Sequence, residues 1–287
     1  MMQLLKGPRM SSDSNERKPD SVPTSPPTGR QLSTRAPSAW GAARDALAAV
    51  HNLEALLRCA NVPYQTILDL LPELRASAAV VREAFEGARG VPSTSAVGDH
   101  GSARVDEFGL LLDATATARE DRGALASRAH VLADELESSA DLLALLDRAS
   151  APVPTEVSLN LIVRETARGS CTGRGREVVV RFDEASPDCI VTTDPYAAGP
   201  LLAIAVGCVH GDEMGEIAVR VRRVPPHAAL VVEPAGPADS PLPITAMRVL
   251  PAVPPTADAA RRVAEQIGAL FLIEPGRWMI AFSSAAG

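Results

Sequence analysis

The chain has 287 residues and 46% apolar side chains, enough for two modest domains and their cores. Aromatic residues make up only 3%, so the core is expected to rest on many Ala, Val and Leu contacts. A formal charge of −7 removes the electrostatic case for nucleic-acid binding, and no apolar run approaches the ~20 residues that span a bilayer. The start, MMQLLKG, is too short for a signal-peptide core. Cys59, Cys171, Cys189 and Cys208 have neither CxxC spacing nor a matching His pair. Reduced thiols in a cytoplasmic protein, with no metal and no cofactor, are the expectation.

Residues 1–36 hold six Ser, five Pro and no aromatic side chain, and carry six basic against three acidic groups. Such a stretch buries too little apolar area to offset its ordering entropy and is expected to be a disordered tail. From Ser38 to Ala60, Ala46, Val50, Leu53, Leu57 and Ala60 recur at steps of four and three, one face of an amphipathic helix. Asn61 and Pro63 break it. A short helical piece, Tyr64–Leu71, should end at Pro72, which suits the first turn of a further helix to about Glu86. Gly87, Gly90 and VPSTSAVGDHGS (91–102) predict a flexible linker over about 88–103.

A long helical segment then runs from about Arg104 to Arg148, weakened near 120 by Gly123 and by threonines at 115 and 117. Its second half carries an unbroken seam of Leu125, Ala129, Leu132, Leu136, Ser139, Leu143 and Leu146. That seam predicts a coiled-coil or four-helix-bundle element, and with it a homodimer through the helical region, 37–152. Beyond residue 152 the period changes. Short β-rich runs (156–159, 177–182, 188–193, 216–224, 228–234, 269–274 and 277–283) alternate with helices at Asn160–Arg168, Pro195–Val209 and Asp258–Ile267. An α+β fold follows, in which a mixed sheet covered by three helices fills 153–287. Gly236–Thr256, with six prolines, reads as a loop.

This order of elements resembles the Bergerat-type (GHKL) ATPase domain of sensor histidine kinases. VSLNLIVRETA (157–167) resembles its first strand and helix, and VTTDPYAAGPLLAIAVGCV (191–209) the strand and second helix. DAARRVAEQIGALFLIEPGRWMIAF (258–282) resembles its last helix and closing hairpin. The resemblance covers about 130 residues and implies a dimerisation-type helical region before them. Family members place an Asn on the second helix to ligate Mg²⁺ on the ATP phosphates, with an acid or Asn one turn earlier. The matching positions here are Gly207 and Ala203, which offer no oxygen to a hard cation. The family's adenine-contacting Asp and the second Gly of its Gly-x-Gly fall at Pro234 and Ala238, with Glu233 as a register-shifted substitute. Its glycine-rich phosphate lid is replaced by LPAVPPTADAA (250–260), where proline removes backbone donors.

The resemblance also asks for a phosphoacceptor histidine on the first bundle helix. His51 is the candidate, beside Val50 at the edge of the apolar face. Its neighbour is Asn52, which cannot take a proton, and Glu54 follows three residues on. His130 is expected to flank the seam, and His210 to lie at a helix end. The leading expectation is a non-catalytic two-component adaptor, or pseudokinase, that binds a response-regulator receiver domain or partner kinase. A histidine phosphotransferase acting through His51 is the alternative, and an ATP-dependent kinase the third.

Overall fold

The computed structural model describes residues 39–117, 121–169, 175–185, 187–211 and 215–284, except for the side chains of 39–42, 44 and 45. The tail expected at 1–36 lies outside them, as does Cys171. Four helices come first: α1 (Ala39–Arg58), α2 (Tyr64–Arg89), α3 (Ser95–Thr117) and α4 (Arg122–Ala149). Each packs on its neighbours in the order α1–α2–α3–α4, and α4 returns to α1, which closes a four-helix bundle.

Three local features differ from the sequence reading. α2 runs through Pro72 without a stop, because Ile67, Leu71 and Leu74 on either side are buried against the bundle. That packing outweighs the hydrogen bond the proline forfeits. Second, the segment expected to be a flexible linker at 88–103 is ordered. Residues 91–94 make a tight turn, with Thr94 Oγ1 donating to Ala88 O at 2.8 Å, and α3 starts at Ser95. Its glycines serve close approach: a Cβ on Gly101 would lie 2.3 Å from the Phe85 ring, and one on Gly98 2.8 Å from Phe85 O. Third, the seam on α4 is buried inside its own chain, with Leu125, Ala129 and Ser139 at 0% exposure and Leu136 at 1%. The bundle is completed in cis, so the seam leaves no stripe for a second copy to cover.

Polar contacts fix the register of these helices. Arg75, Arg82 and Arg89 on α2 pair with Asp113, Asp106 and Asp99 on α3, so charges at heptad spacing on both helices run antiparallel. At the start of α4, Asp121 caps the helix by accepting from Gly123 N at 2.9 Å. Next to it, the Arg122 guanidinium donates to the carbonyls of Leu56, Leu57, Cys59 and Val62 at 2.5–2.9 Å. One side chain thus closes the carbonyl end of α1.

The second half is an α/β layer. Strands β1 (Thr155–Ser158) and β3 (Ile190–Thr193) form a small antiparallel pair. The main sheet contains β2 (Arg176–Asp183), β4 (Ile217–Val224), β5 (His227–Pro234), β6 (Ile244–Val249), β7 (Ala269–Glu274) and β8 (Arg277–Ser283). Their spatial order is β6-β2-β4-β5-β8-β7, with β2 and β4 parallel and all other pairs antiparallel. Helices α5 (Leu159–Gly169), α6 (Pro195–His210) and α7 (Thr256–Gln266) join it. Val180, Val219, Leu230, Val232 and Ile280 are buried on the helix-bearing face. The α+β reading therefore holds, with one correction: the proline-rich stretch expected to be a loop contains β6. Proline is tolerated beside an edge strand, and Pro243 O accepts from Phe182 N at 3.0 Å as β6 begins.

Residues Pro37–Gly287 make one compact unit, because α4 packs on α6 and α7. Arg262 on α7 also donates to Pro92 O at 2.9 Å, in the α2–α3 turn. Among the described residues no helix is long and apolar enough to cross a membrane.

Candidate functional site

The positions that the sequence resemblance maps to a nucleotide site lie on α6 and in the segment before α7. Asp194, 1% exposed, caps α6 by accepting from Tyr196 N at 2.9 Å, and also accepts from Val153 N at 3.1 Å. The start of α6 is thereby tied to the strand of chain leaving the bundle. One side of α6 packs Leu201, Leu202, Ala205 and Val206 at 0% exposure. Gly207 is buried too, and a Cβ there would stand 3.2 Å from both Leu250 O and Val249 Cβ. A side chain at 207 would need those neighbours to give by a few tenths of an ångström. Ala203, one turn earlier, is half-buried.

Residues 250–255, where the resemblance asks for a mobile phosphate lid, form a strap held at several points. Val253 is buried, and its N–H donates to Thr256 Oγ1 at 2.9 Å. Ser138 Oγ on α4 lies 3.0 Å from Pro251 O and 2.8 Å from Asp134 O, so its one proton is shared between them. The strap thus touches α6 on one side and α4 on the other.

The remaining positions lie apart. Pro234 ends β5 opposite Ile217, and Ala238 sits in a 3-10 turn, Pro237–Asp239. Strand alternation turns Glu233 to the face opposite the buried Val232. There it accepts from Arg220 Nε at 2.7 Å and lies 3.5 Å from Arg277 Nε. Glu233 therefore belongs to a charged network on the helix-free face, away from α6. Asp239, which the sequence did not single out, anchors that network. It accepts from Gly236 N at 2.8 Å and from Arg220 at 2.6 Å. The Gly236 N–H first, and then Arg220, hold its carboxyl below the usual range.

His51 is 6% exposed and points at α4, with Nε2 3.1 Å from Glu137 Oε2. The Glu137 carboxylate thus occupies this ring nitrogen, and the imidazole is closed off from solvent. Around it lies a polar cluster between α1 and α4. Glu54, 8% exposed, is 3.1 Å from Arg58 and 3.3 Å from His130 Nδ1. His130 Nε2 is 3.7 Å from Asp134. Burial pushes the Asp134 carboxyl up, opposed in part by His130 and His51. Asn52, its sequence neighbour, faces solvent.

His210 closes α6, with Nδ1 3.3 Å from Gly211 O, and its neighbours Asp212 and Glu213 lie outside the described residues. Among the described residues no group of three or more His, Cys, Asp or Glu side chains could hold a metal. Cys59, Cys189 and Cys208 are free thiols, and burial pushes the Cys208 thiol up to about 12, which keeps it unreactive.

No family model matches the chain, and no curated protein does. Solved structures that align with it include the histidine kinase AdeS of Acinetobacter baumannii, at 10% identity and a TM-score of 0.43, covering 63% of this chain and 95% of that one. The mycobacterial sensor histidine kinase MprB aligns at 13% identity and 0.32, covering 46% and 98%. A histidine kinase from Burkholderia phymatum STM815 aligns at 18% identity and 0.31, covering 65% and 98%.

Proposed function

We propose that this protein is a two-component-type signalling adaptor of histidine-kinase-like build that does not use ATP. The observation that carries the reading is the strap 250–255, seated on Gly207 and held to Ser138 where a nucleotide and its lid would lie. A Mg²⁺-bound triphosphate needs oxygen ligands on α6 and backbone donors in the lid. Ala203 and Gly207 offer no side-chain oxygen, and Pro251, Pro254 and Pro255 have no N–H to give.

The partner in this reading is a response-regulator receiver domain or a partner kinase, docked on the helical bundle in the cytoplasm. α2 packs on α1 and α3, and its outer side, where Val80 is 42% exposed, is the surface this reading assigns to the partner. Two finer expectations from the sequence are set aside. A dimer through the α4 seam has no exposed seam to use, because α1 and α3 cover it. Relay through His51 is disfavoured on access, because the imidazole is 6% exposed between α1 and α4 with Nε2 3.1 Å from Glu137. The test uses a set of phosphorylated receiver domains incubated with the wild type and with His51→Ala. One receiver is expected to bind both proteins equally and to leave no label on either. Label that appears on the wild type and is lost in His51→Ala would overturn the non-catalytic reading.

A further inference from the structure

The main sheet ends on β7, which pairs with β8 on one side and with no strand on the other among the described residues. An unpaired edge presents a row of backbone N–H and C=O groups, and proteins normally blunt such edges with charge, proline or a bulge. β6, the opposite edge, lies between Pro243 and Pro251 and carries Arg248. β7 has none of these devices. Its sequence is ALFLIE, and its one charge, Glu274, sits at the end with Arg277 of the same hairpin 3.9 Å away. Leu270, Leu272 and Ile273 are 56%, 49% and 38% exposed, three large apolar side chains on one short edge strand.

We infer that β7 pairs antiparallel with β7 of a second copy of this chain, joining two six-stranded sheets into one. Two constraints select the register. Residues directly opposite each other share a face of the sheet, and a two-fold axis makes the pairing reciprocal. With the axis at Phe271, each Leu270 meets Leu272 of the other copy on the helix-free face, and each Ala269 meets Ile273 on the other face. Glu274 then stands opposite Gly268, so no like charges oppose each other. With the axis at Leu272, Glu274 would instead oppose Leu270, burying a carboxylate against an apolar side chain. The Phe271 register is the one that covers all three exposed residues without that cost.

The occupant is a second copy because the strand's apolar pattern is its own two-fold complement, and because Glu274 is already paired within the hairpin. One short strand per copy makes an interface at or below the low end of the usual range, about 1,200 Å² in total, so association should be weak and micromolar. Each copy carries −7, so salt that screens the repulsion should strengthen it.

Sedimentation velocity on the full chain, from a few micromolar to a few hundred micromolar, tests it. A dimer fraction rising with concentration and with salt is expected. Leu272→Lys and Leu270→Glu should each weaken the dimer at least tenfold. Val131→Lys on α4, a side chain 54% exposed, should leave it unchanged. In a Cys59→Ser background, a mixture of Leu270→Cys and Leu272→Cys proteins should cross-link more readily than either alone. A chain monomeric at every concentration, or a dimer indifferent to both β7 substitutions, would overturn the proposal.

Discussion

At the scale of single residues, the cluster between α1 and α4 decides more than its size suggests. The sequence places His51 on the edge of the apolar face of α1, and the structure leaves it 6% exposed. Nothing local reveals that α4 brings Glu137 within 3.1 Å, because that contact spans 86 residues. Asp134 supplies the matching prediction. Burial raises its folded carboxyl above the ordinary value of 3.8, so its charged form is disfavoured in the bundle. Stability from this group is therefore full below the ordinary value and is lost as pH rises through the raised one. Asp134→Asn should then leave stability at pH 7 equal to or above that of the wild type, with a flatter loss between acid and neutral pH. Urea midpoints across that range check it; a clear loss at pH 7 would mean that pairing with His130 outweighs burial.

At the scale of elements, strong periodicity was legible and disguised glycine was not. The α4 seam was read residue by residue, and every member is buried. The strands of the main sheet were likewise found from their β-branched runs. β6 escaped because its six residues lie in a proline-rich stretch, where local composition argues for a loop. The 88–103 region failed for a physical reason: Gly98 and Gly101 look like turn formers in sequence, yet they serve to bring α3 against Phe85. The heptad spacing of Arg75, Arg82 and Arg89 against Asp99, Asp106 and Asp113 was the signal that could have joined α2 to α3. Gly101→Ala should accordingly destabilise by about 1–3 kcal/mol, since its Cβ meets the Phe85 ring. Gly87→Ala, on the same hairpin with open space around it, should stabilise by about 0.5–1 kcal/mol. Thermal melts of both variants check the pair, and equal effects would contradict the packing account.

At the scale of the whole molecule, two observations act together. The bundle is closed within one chain, and the α/β layer is fastened to it through Ser138, Asp194 and Arg262. A kinase must bind nucleotide in a cleft and carry its phosphate to a histidine. Here the strap lies over Gly207, and the candidate histidine faces inward. The sequence alone shows Ala203, Gly207 and Pro234 at the positions where the resemblance asks for nucleotide-binding side chains. What fills the space required the three-dimensional arrangement, because Leu250 and Gly207 meet across 43 residues of chain. The most direct measurement is a calorimetric titration of the full chain with Mg·ATP. The account predicts no heat of binding into the millimolar range; saturable micromolar binding would contradict it.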